Sequence, residues 1–570
     1  MEREVVIGNK ALEELRKRLE RWGEVCAQLR ELYHRYLDLA AFRSKKCYFP
    51  GRKCKRSWRR EYDAGDLTLM WTYILNTAPL CGRLMKALAE VEYKIRKRAL
   101  ESLEKYGGVE KRTNPGGKYE IVNVKLERPV HGYLALWNDR LYVIWGEFDG
   151  LSKDGKKRAI EIEHRVLDVI ERHRRGESVG EVDEYEVDRE YERLWLEVPL
   201  PQNASKLLGG KSKAPIALFR NIGWLLSDDD RYRLTHKSGN PGQTAARIFD
   251  WIAIATYAKR SLSTTLLVFK FKVDDVVKTK DGINPSIEVR AVGTVAEIIR
   301  TVYEQFGIVL NGTKRVIARG YAVLNALREE SFKREGNVYV VDDVGAWIAF
   351  SATVAMLVLG DGYITPSMIG VTAKPSPETT FKGEVLGVRG LAKVLGGAFA
   401  GREARLQGWH MRLLLPVSPT PAFEKTVKLY DALVNYPAAA TVEINGTTYL
   451  LIHDSNTRFI IGKEKAAGLY EAVKRLGLRI GIRKGYIVLT HTQLKELARF
   501  VPVRLLNELE KDAIREVKSA TSPDLEVLRR VLEEVVKMAK IVIGLRQGRE
   551  YVRIVPYDES KLEEIAVALK

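Results

Sequence analysis

The stretch from Val344 to Ile364, VGAWIAFSATVAMLVLGDGYI, limits what this chain can fold into more than any other. No charged residue falls between Asp343 and Asp361. Such a run predicts a helix that is either buried on every side or spans a membrane. Ala349, Ala352 and Ala355 recur three apart, so one face carries little bulk and a second helix can approach it closely. The helix runs into Gly360-Asp361-Gly362, a turn that sets one carboxylate just past the flat face. An acid at the foot of a tightly packed helix pair is a place to hold a divalent cation against a phosphate. The plainer reading is a core helix followed by a turn. A span is disfavoured, because its length is at the short limit and its flanks, Asp342, Asp343 and Asp361, lack the Lys/Arg bias that orients one.

Val354 to Gly362, VAMLVLGDG, resembles the motif of LAGLIDADG homing endonucleases and their non-cutting relatives. In that family two such helices pack face to face, each delivers one acid, and strands beyond the motif form a saddle over DNA. The resemblance implies that Asp361 is the catalytic, metal-binding acid, with Mg²⁺ as cofactor if the protein cuts. It implies that Gly360, Gly362, Ala352 and Ala355 are packing residues of the motif. Two departures stand out: Met356 replaces a small glycine, and Leu359 replaces the first aspartate that is often present. The nearest internal echo, LAKVLGGAFAG from Leu391 to Gly401, has no carboxylate, so two acids in one site require a homodimer. These departures favour binding over cutting.

The net charge of +20 points the same way. An excess of that size favours a polyanionic partner, and with no amphipathic anchor or lipidation motif the expectation is DNA and not a membrane. The competing explanation is a heavily charged thermophile surface that tilts basic. The segment MEREVVIGNKALEEL lacks the apolar core of a signal peptide, so a cytoplasmic location is expected. Four cysteines, Cys26, Cys47, Cys54 and Cys81, are too few for a secreted disulfide scaffold. Free thiols are expected, a Cys47–Cys54 bridge being the alternative in a hyperthermophile. Cys26 and His34 lack ligand spacing to complete a zinc site with them.

The chain is long enough for about three or four domains, and its pattern predicts a multidomain α+β protein. Residues 1–112 read as a helical region with a basic loop, 113–210 as a small α+β unit, and 211–335 as mostly helical with strands. Residues 336–510 read as a LAGLIDADG-like domain of αββαββα type, and 511–570 as a helix and a hairpin. Asn138-Asp139 and Asn445-Gly446 predict tight hairpin turns. Ala204 to Ala214, rich in Gly and Lys, predicts a linker or a mobile loop.

Within Ser227 to Ala258, Asp228, Asp229 and Asp230 suggest an acidic first turn of a helix. Gly239-Asn240-Pro241-Gly242 predicts a turn before a helix burying Ile248, Trp251, Ile252 and Ala255, whose N-terminal N–H groups could hold a phosphate. SGNPGQTAARIFDW, together with VLGDGYI, is similar to the paralogous-repeat proteins of Pyrobaculum. That resemblance implies a multi-copy, mobile-element-like family and implies no catalytic residue.

Two segments are candidates for nucleic-acid contact. Arg43, Lys45, Lys46, Arg52, Lys53, Lys55 and Arg56 form a run without acids, interleaved by Tyr48, Phe49 and Trp58. Cations among aromatics suit phosphate contact with base stacking; a solvated basic loop is the alternative. In LRIGIRKG, Arg479 and Arg483 lie four apart on a strand and so face one way, with Gly481 leaving that face low. Arg475 and Lys484 add charge nearby. A shallow face edged by arginine fits a duplex backbone, whereas an edge strand guarded against aggregation would look the same. Three functions follow: a LAGLIDADG-like DNA binder that cuts as a dimer, a DNA binder that does not cut, and a structural or partner-binding protein with a basic surface.

Overall fold

A computed structural model describes residues 10–41, 78–112, 122–189, 197–227, 229–230, 234–259, 265–279, 282–310, 313–335, 338–365, 368–372, 379–381, 384–386, 398–400, 403–407, 423–434, 437–454, 458–483, 485–507, 534–535, 537–546 and 549–568. It is an α+β structure, and every strand pair among the described residues is antiparallel.

Apolar residues at helical spacing bury Leu12 and Leu15 on α1 (Lys10–Glu20), which is followed by α2 (Trp22–Ala41). A single 3-10 turn, Ala78–Cys81, leads into α3 (Arg83–Tyr106), a helix that buries Leu84, Leu88, Val91 and Ile95 along one face. Cys26 on α2 is joined to Cys81 by a disulfide, with Cα atoms 5.7 Å apart. Free thiols were the expectation for these two. Fifty-five residues separate them in sequence, so only the packing of α2 on the 3-10 turn brings them within bridging reach. Cys47 and Cys54 lie outside the described residues.

Next come β1 (Gly108–Arg112), β2 (Val122–Trp137), β3 (Arg140–Trp145), α4 (Gly155–Arg174) and β4 (Val182–Glu186). Asn138 and Asp139 both adopt positive φ, 49° and 59°, which is what a two-residue hairpin of matching twist needs. The chain continues through β5 (Glu197–Pro199), α5 (Gln202–Leu207), β6 (Lys213–Pro215), α6 (Ile216–Leu226), β7 (Asp229–Asp230), β8 (Thr235–Ser238), α7 (Gln243–Lys259), β9 (Leu267–Thr279), β10 (Gly282–Val292) and α8 (Thr294–Gln305). Eight of these strands make one sheet in the order β4-β3-β2-β9-β10-β8-β7, with β1 beside β2. Alternate residues of β2 serve opposite faces. Tyr133 and Ala135 pack with Ile162, Val166 and Ile170 of α4, while Leu134 and Leu136 join the main core with α3 and α7.

Two expected boundaries do not survive. The break at residue 210 falls inside this sheet, since β2 from the expected middle unit pairs along its length with β9 from the next. The expected linker 204–214 holds most of α5 and part of β6, and β6 pairs with β5.

Helix α9 (Thr313–Ser331) and the hairpin β11 (Phe332–Glu335) and β12 (Val338–Val341) lead to α10 (Val344–Asp361), the apolar helix of the opening argument. The Asp343 carboxylate caps it, accepting from the Ala346 N–H at 2.7 Å. Every residue from Val344 to Gly360 is buried, packed among α6, α9 and β5. This helix is apolar and long enough to cross a membrane, and here it lies 94% buried inside the protein. The close helix approach exists, but the glycine that allows it is on the partner. A Cβ at Gly223 of α6 would sit 2.4 Å from the Thr353 carbonyl and 2.6 Å from the Met356 Cβ.

Beyond α10, β13 (Gly362–Thr365), β14 (Met368–Thr372), β17 (Ala398–Ala400) and β18 (Glu403–Gln407) form a four-stranded sheet; β15 (Thr379–Phe381) and β16 (Glu384–Leu386) pair separately. After α11 (Glu424–Val434) comes a module with its own hydrophobic core. It comprises β19 (Ala439–Ile444), β20 (Thr447–Asp454), β21 (Arg458–Gly462), α12 (Ala467–Arg475), β22 (Gly481–Arg483), β23 (Tyr486–Thr490), α13 (His491–Leu497) and β24 (Val503–Leu506), with strand order β22-β23-β21-β20-β19-β24. Asn445 and Gly446 make the expected turn, with φ of 50° and 74°. A hairpin, β25 (Ala539–Arg546) and β26 (Arg549–Pro556), and α14 (Leu562–Ala568) follow. The expected domain 336–510 is therefore divided. Helix α10 shares the main core, and the module's buried residues form a second core.

Candidate nucleic-acid interface

Residues 437–507 contain eleven Lys and Arg against five Asp and Glu, a net of +6. One eighth of the chain thus carries nearly a third of its net charge. Seven of the eleven cations lie between Lys474 and Arg499. Lys474 and Arg475 occupy the last turn of α12, where they also complement the helix dipole. Gly477, at φ +72°, reverses the chain with no Cβ penalty. Leu478 and Ile480 then turn onto the module core while Arg479 between them is exposed. Arg483 follows, exposed on β22, the outermost strand of the sheet. Gly481, Ile482 and Arg483 are all exposed, so burial does not single out an arginine face on this strand; Lys484 lies outside the described residues, as do Arg43, Lys45, Lys46, Arg52, Lys53, Lys55 and Arg56.

Helix α13 is tied to this run. Its N-terminus is a capping box: the Gln493 N–H donates to Thr490 Oγ1 at 3.2 Å, and the Thr490 N–H donates to Gln493 Oε1 at 2.8 Å. The Gln493 side-chain amide also donates to the Arg479 carbonyl. Exposed Lys495 and Arg499 are thereby added to the same region. Among the described residues no carboxylate pairs with Lys474, Arg475, Arg479, Arg483, Lys495 or Arg499. Around the large sheet Arg189 meets Asp139 at 2.5 Å, Arg172 meets Glu177 at 2.8 Å, Lys237 meets Asp275 at 2.8 Å and Lys94 meets Asp183 at 3.2 Å, while Lys111, Lys125 and Arg290 are exposed with no carboxylate partner among the described residues.

Asp361 ends α10 half-buried, with Gly360, Gly362, Ala352 and Ala355 buried around the helix. Gly362 has a local cause: a Cβ there would lie 2.5 Å from the Val358 carbonyl. The negative end of the α10 dipole is already met by a cation. Lys425 Nζ from α11 donates to the carbonyls of Leu359 at 2.6 Å and Gly360 at 2.8 Å. Among the described residues no three His, Cys, Asp or Glu side chains cluster as metal ligands would. Because α10 is covered on every side by its own chain, it has no face left for a second copy of itself. Asp361 and the arginine pair also belong to separately packed cores.

The expected phosphate pocket at the start of α7 is filled from within. The Glu92 carboxylate accepts from the N–H groups of Gly242 and Ala245, both at 2.8 Å, so those donors are not available to a ligand. Arg96 donates to Glu92 at 2.9 Å and to the carbonyls of Gly239 and Asn240 at 3.1 Å. The acid run is likewise not a helical first turn: Asp229 and Asp230 form β7, opposite His236 and Thr235 of β8, and Asp228 lies outside the described residues. Asp229 accepts from Arg247 at 3.1 and 2.5 Å and sits 3.0 Å from His236 Nδ1. Asn221 Oδ1 receives Arg247 at 2.7 Å and the Tyr303 hydroxyl at 2.8 Å. Asp250 binds Arg220 at 2.6 Å and the Trp224 indole at 2.7 Å. All these side chains are buried, so the network holds α6, α7, α8 and the sheet together and does not face solvent. Its sequence signal was present and missed: charges at 220, 247 and 250 interrupt otherwise apolar helices.

Burial opposes ionisation of Asp229, but the Arg247 guanidinium and His236 outweigh it and hold the carboxyl below its usual range. Burial pushes the Tyr303 hydroxyl up to about 12, against the pull of Arg247. A raised folded-state value means stability is intact below the unfolded tyrosine value and is lost as pH climbs through the folded one. Between about pH 10 and 12 this tyrosine alone should remove roughly 3 kcal/mol. Burial also raises Tyr133, Tyr142 and Tyr185, so urea unfolding across that window should show a loss in both proteins, larger in wild type than in Tyr303→Phe by roughly 3 kcal/mol.

No protein-family model, curated protein or solved structure matches this chain.

Proposed function

We propose that this protein binds DNA through the Lys474–Arg499 stretch of the 437–507 module and does not cleave it. The observation that carries this reading is a local excess of cations. Between Lys474 and Arg499 seven Lys and Arg stand against a single acid, Glu496, and Arg475, Arg479, Arg483, Lys495 and Arg499 are exposed with no carboxylate partner among the described residues. Cations left unmatched at one surface favour a polyanion, because each phosphate contact releases condensed counterions. A thermophile surface that is basic for stability would be expected to carry ion-pair networks there. Cleavage is disfavoured by the Lys425 ammonium at the end of α10 and by the burial of that helix on every side.

The test is a fluorescence-anisotropy titration of labelled DNA between about 50 and 200 mM salt. Binding should weaken steeply with salt. Arg479→Ala with Arg483→Ala should weaken it at least tenfold and flatten the log–log salt slope by about 2, close to 0.9 per lost phosphate contact. Asp361→Asn should bind like wild type. An unchanged slope in the arginine double variant sinks the assignment of this surface. Plasmid nicking with Mg²⁺ that Asp361→Asn abolishes would restore the endonuclease reading.

A further inference from the structure

We infer that the nucleic acid this module takes is single-stranded, with a base stacked on Phe500 while neighbouring arginines hold the phosphates. The inference rests on the nucleic-acid reading above and adds the form of the ligand.

The module exposes apolar side chains as well as cations, and the two alternate. Ile482 is 48% exposed and precedes Arg483; Phe500 is 58% exposed and follows Arg499; Leu505 is 46% exposed and follows Arg504. Phe500 is held out by structure on both sides. Its N–H donates to the Leu497 carbonyl at 3.0 Å, the Val501 N–H donates to the same carbonyl at 3.1 Å, and Val501 packs on the module core. The ring therefore sits on an anchored turn at the end of α13. The start of that helix is bonded to the Arg479 carbonyl through Gln493. Helix α13 and the turn after it carry the chain from the Arg479 carbonyl toward β24, the sheet edge opposite β22; at about 4.8 Å per strand the two edges stand about 24 Å apart, a distance that a strand of several nucleotides spans.

A duplex hides the faces of its bases and offers mainly phosphates and groove edges, so a ring projecting from a cationic surface gains little from it. A single strand offers a base face to an aromatic ring and phosphates to adjacent cations, and that combination serves sequence-tolerant binding. The charge complementarity selects this occupant over an apolar protein partner, which would leave the cations unmatched.

The experiment uses the full chain and anisotropy at about 100 mM salt with three labelled probes: a mixed-sequence strand of about 20 nucleotides, the same strand as a duplex, and an abasic strand of equal length. The single strand should bind more tightly than the duplex. Phe500→Ala should weaken single-strand binding about tenfold and leave duplex binding unchanged, and Phe500→Tyr should retain wild-type affinity. The abasic strand should bind wild type and Phe500→Ala equally. If the duplex binds as well as the strand and Phe500→Ala changes neither, while Arg479→Ala with Arg483→Ala still weakens both, the single-strand inference is overturned and DNA binding stands. If no probe binds in a salt-dependent way, the underlying reading fails as well. Binding to phosphatidylserine vesicles that Phe500→Ala abolishes, with no binding of any oligonucleotide, would overturn both in favour of a membrane surface.

Discussion

Glu92→Ala should lower the unfolding free energy by about 3–5 kcal/mol, the range found when one partner of a buried ion pair is removed. Glu92 is 2% exposed and Arg96 is fully buried. One carboxylate accepts from Arg96 and from the Gly242 and Ala245 N–H groups, which join α3 to the start of α7. Alanine leaves a guanidinium in the core without its counter-charge, although carbonyls of Gly239, Asn240, Ser238 and Pro285 still accept from it. It also strips the caps from α7, a further penalty of about 1 kcal/mol. Glu92→Gln keeps an acceptor but loses the charge, and should fall between the two. Urea unfolding followed by far-UV circular dichroism measures all three. A loss below about 1 kcal/mol for Glu92→Ala would mean that Arg96 is satisfied by carbonyls alone.

Gly223→Leu should be comparably severe, destabilising by about 3 kcal/mol or more. The new Cβ alone would meet the Thr353 carbonyl at 2.4 Å and the Met356 Cβ at 2.6 Å. The first of these is backbone and cannot change rotamer, so α6 and α10 must move apart and lose packing along their shared length. Leucine's better helix propensity recovers only about 1 kcal/mol. A control separates the two contacts: adding Met356→Gly, which removes the Cβ, should leave most of the loss in place, because the carbonyl clash persists. Full rescue by that second change would show that side-chain crowding, and not helix separation, limits the site.

These expectations show where sequence reading succeeded. The turns at Asn138-Asp139 and Asn445-Gly446 were legible because positive φ is a local demand that Asn, Asp and Gly meet at low energy. Helix α10 was legible because a charge-free run at that length has few other fates.

What covers α10 was not legible. The flat face suggested a copy of the same helix, and the partner is α6, admitted by a glycine in a different segment. The phosphate-ready turn at the start of α7 was legible as a turn, but the carboxylate that fills it comes from Glu92, 150 residues earlier.

The sequence by itself determined the elements with a short-range cause: the hairpin turns, the buried apolar helix, the helix–strand rhythm, and a basic excess concentrated toward Arg475–Lys484. Only the tertiary structure decided that β2 and β9 belong to one sheet, that Cys26 meets Cys81, that α10 lies in the main core while the arginine-bearing strand lies on a second one, and that acids near α7 are spent on buried arginines. The physical reason is range. Backbone preference and side-chain periodicity act over a few residues, whereas partner choice depends on which distant surfaces bury one another best once the chain has collapsed.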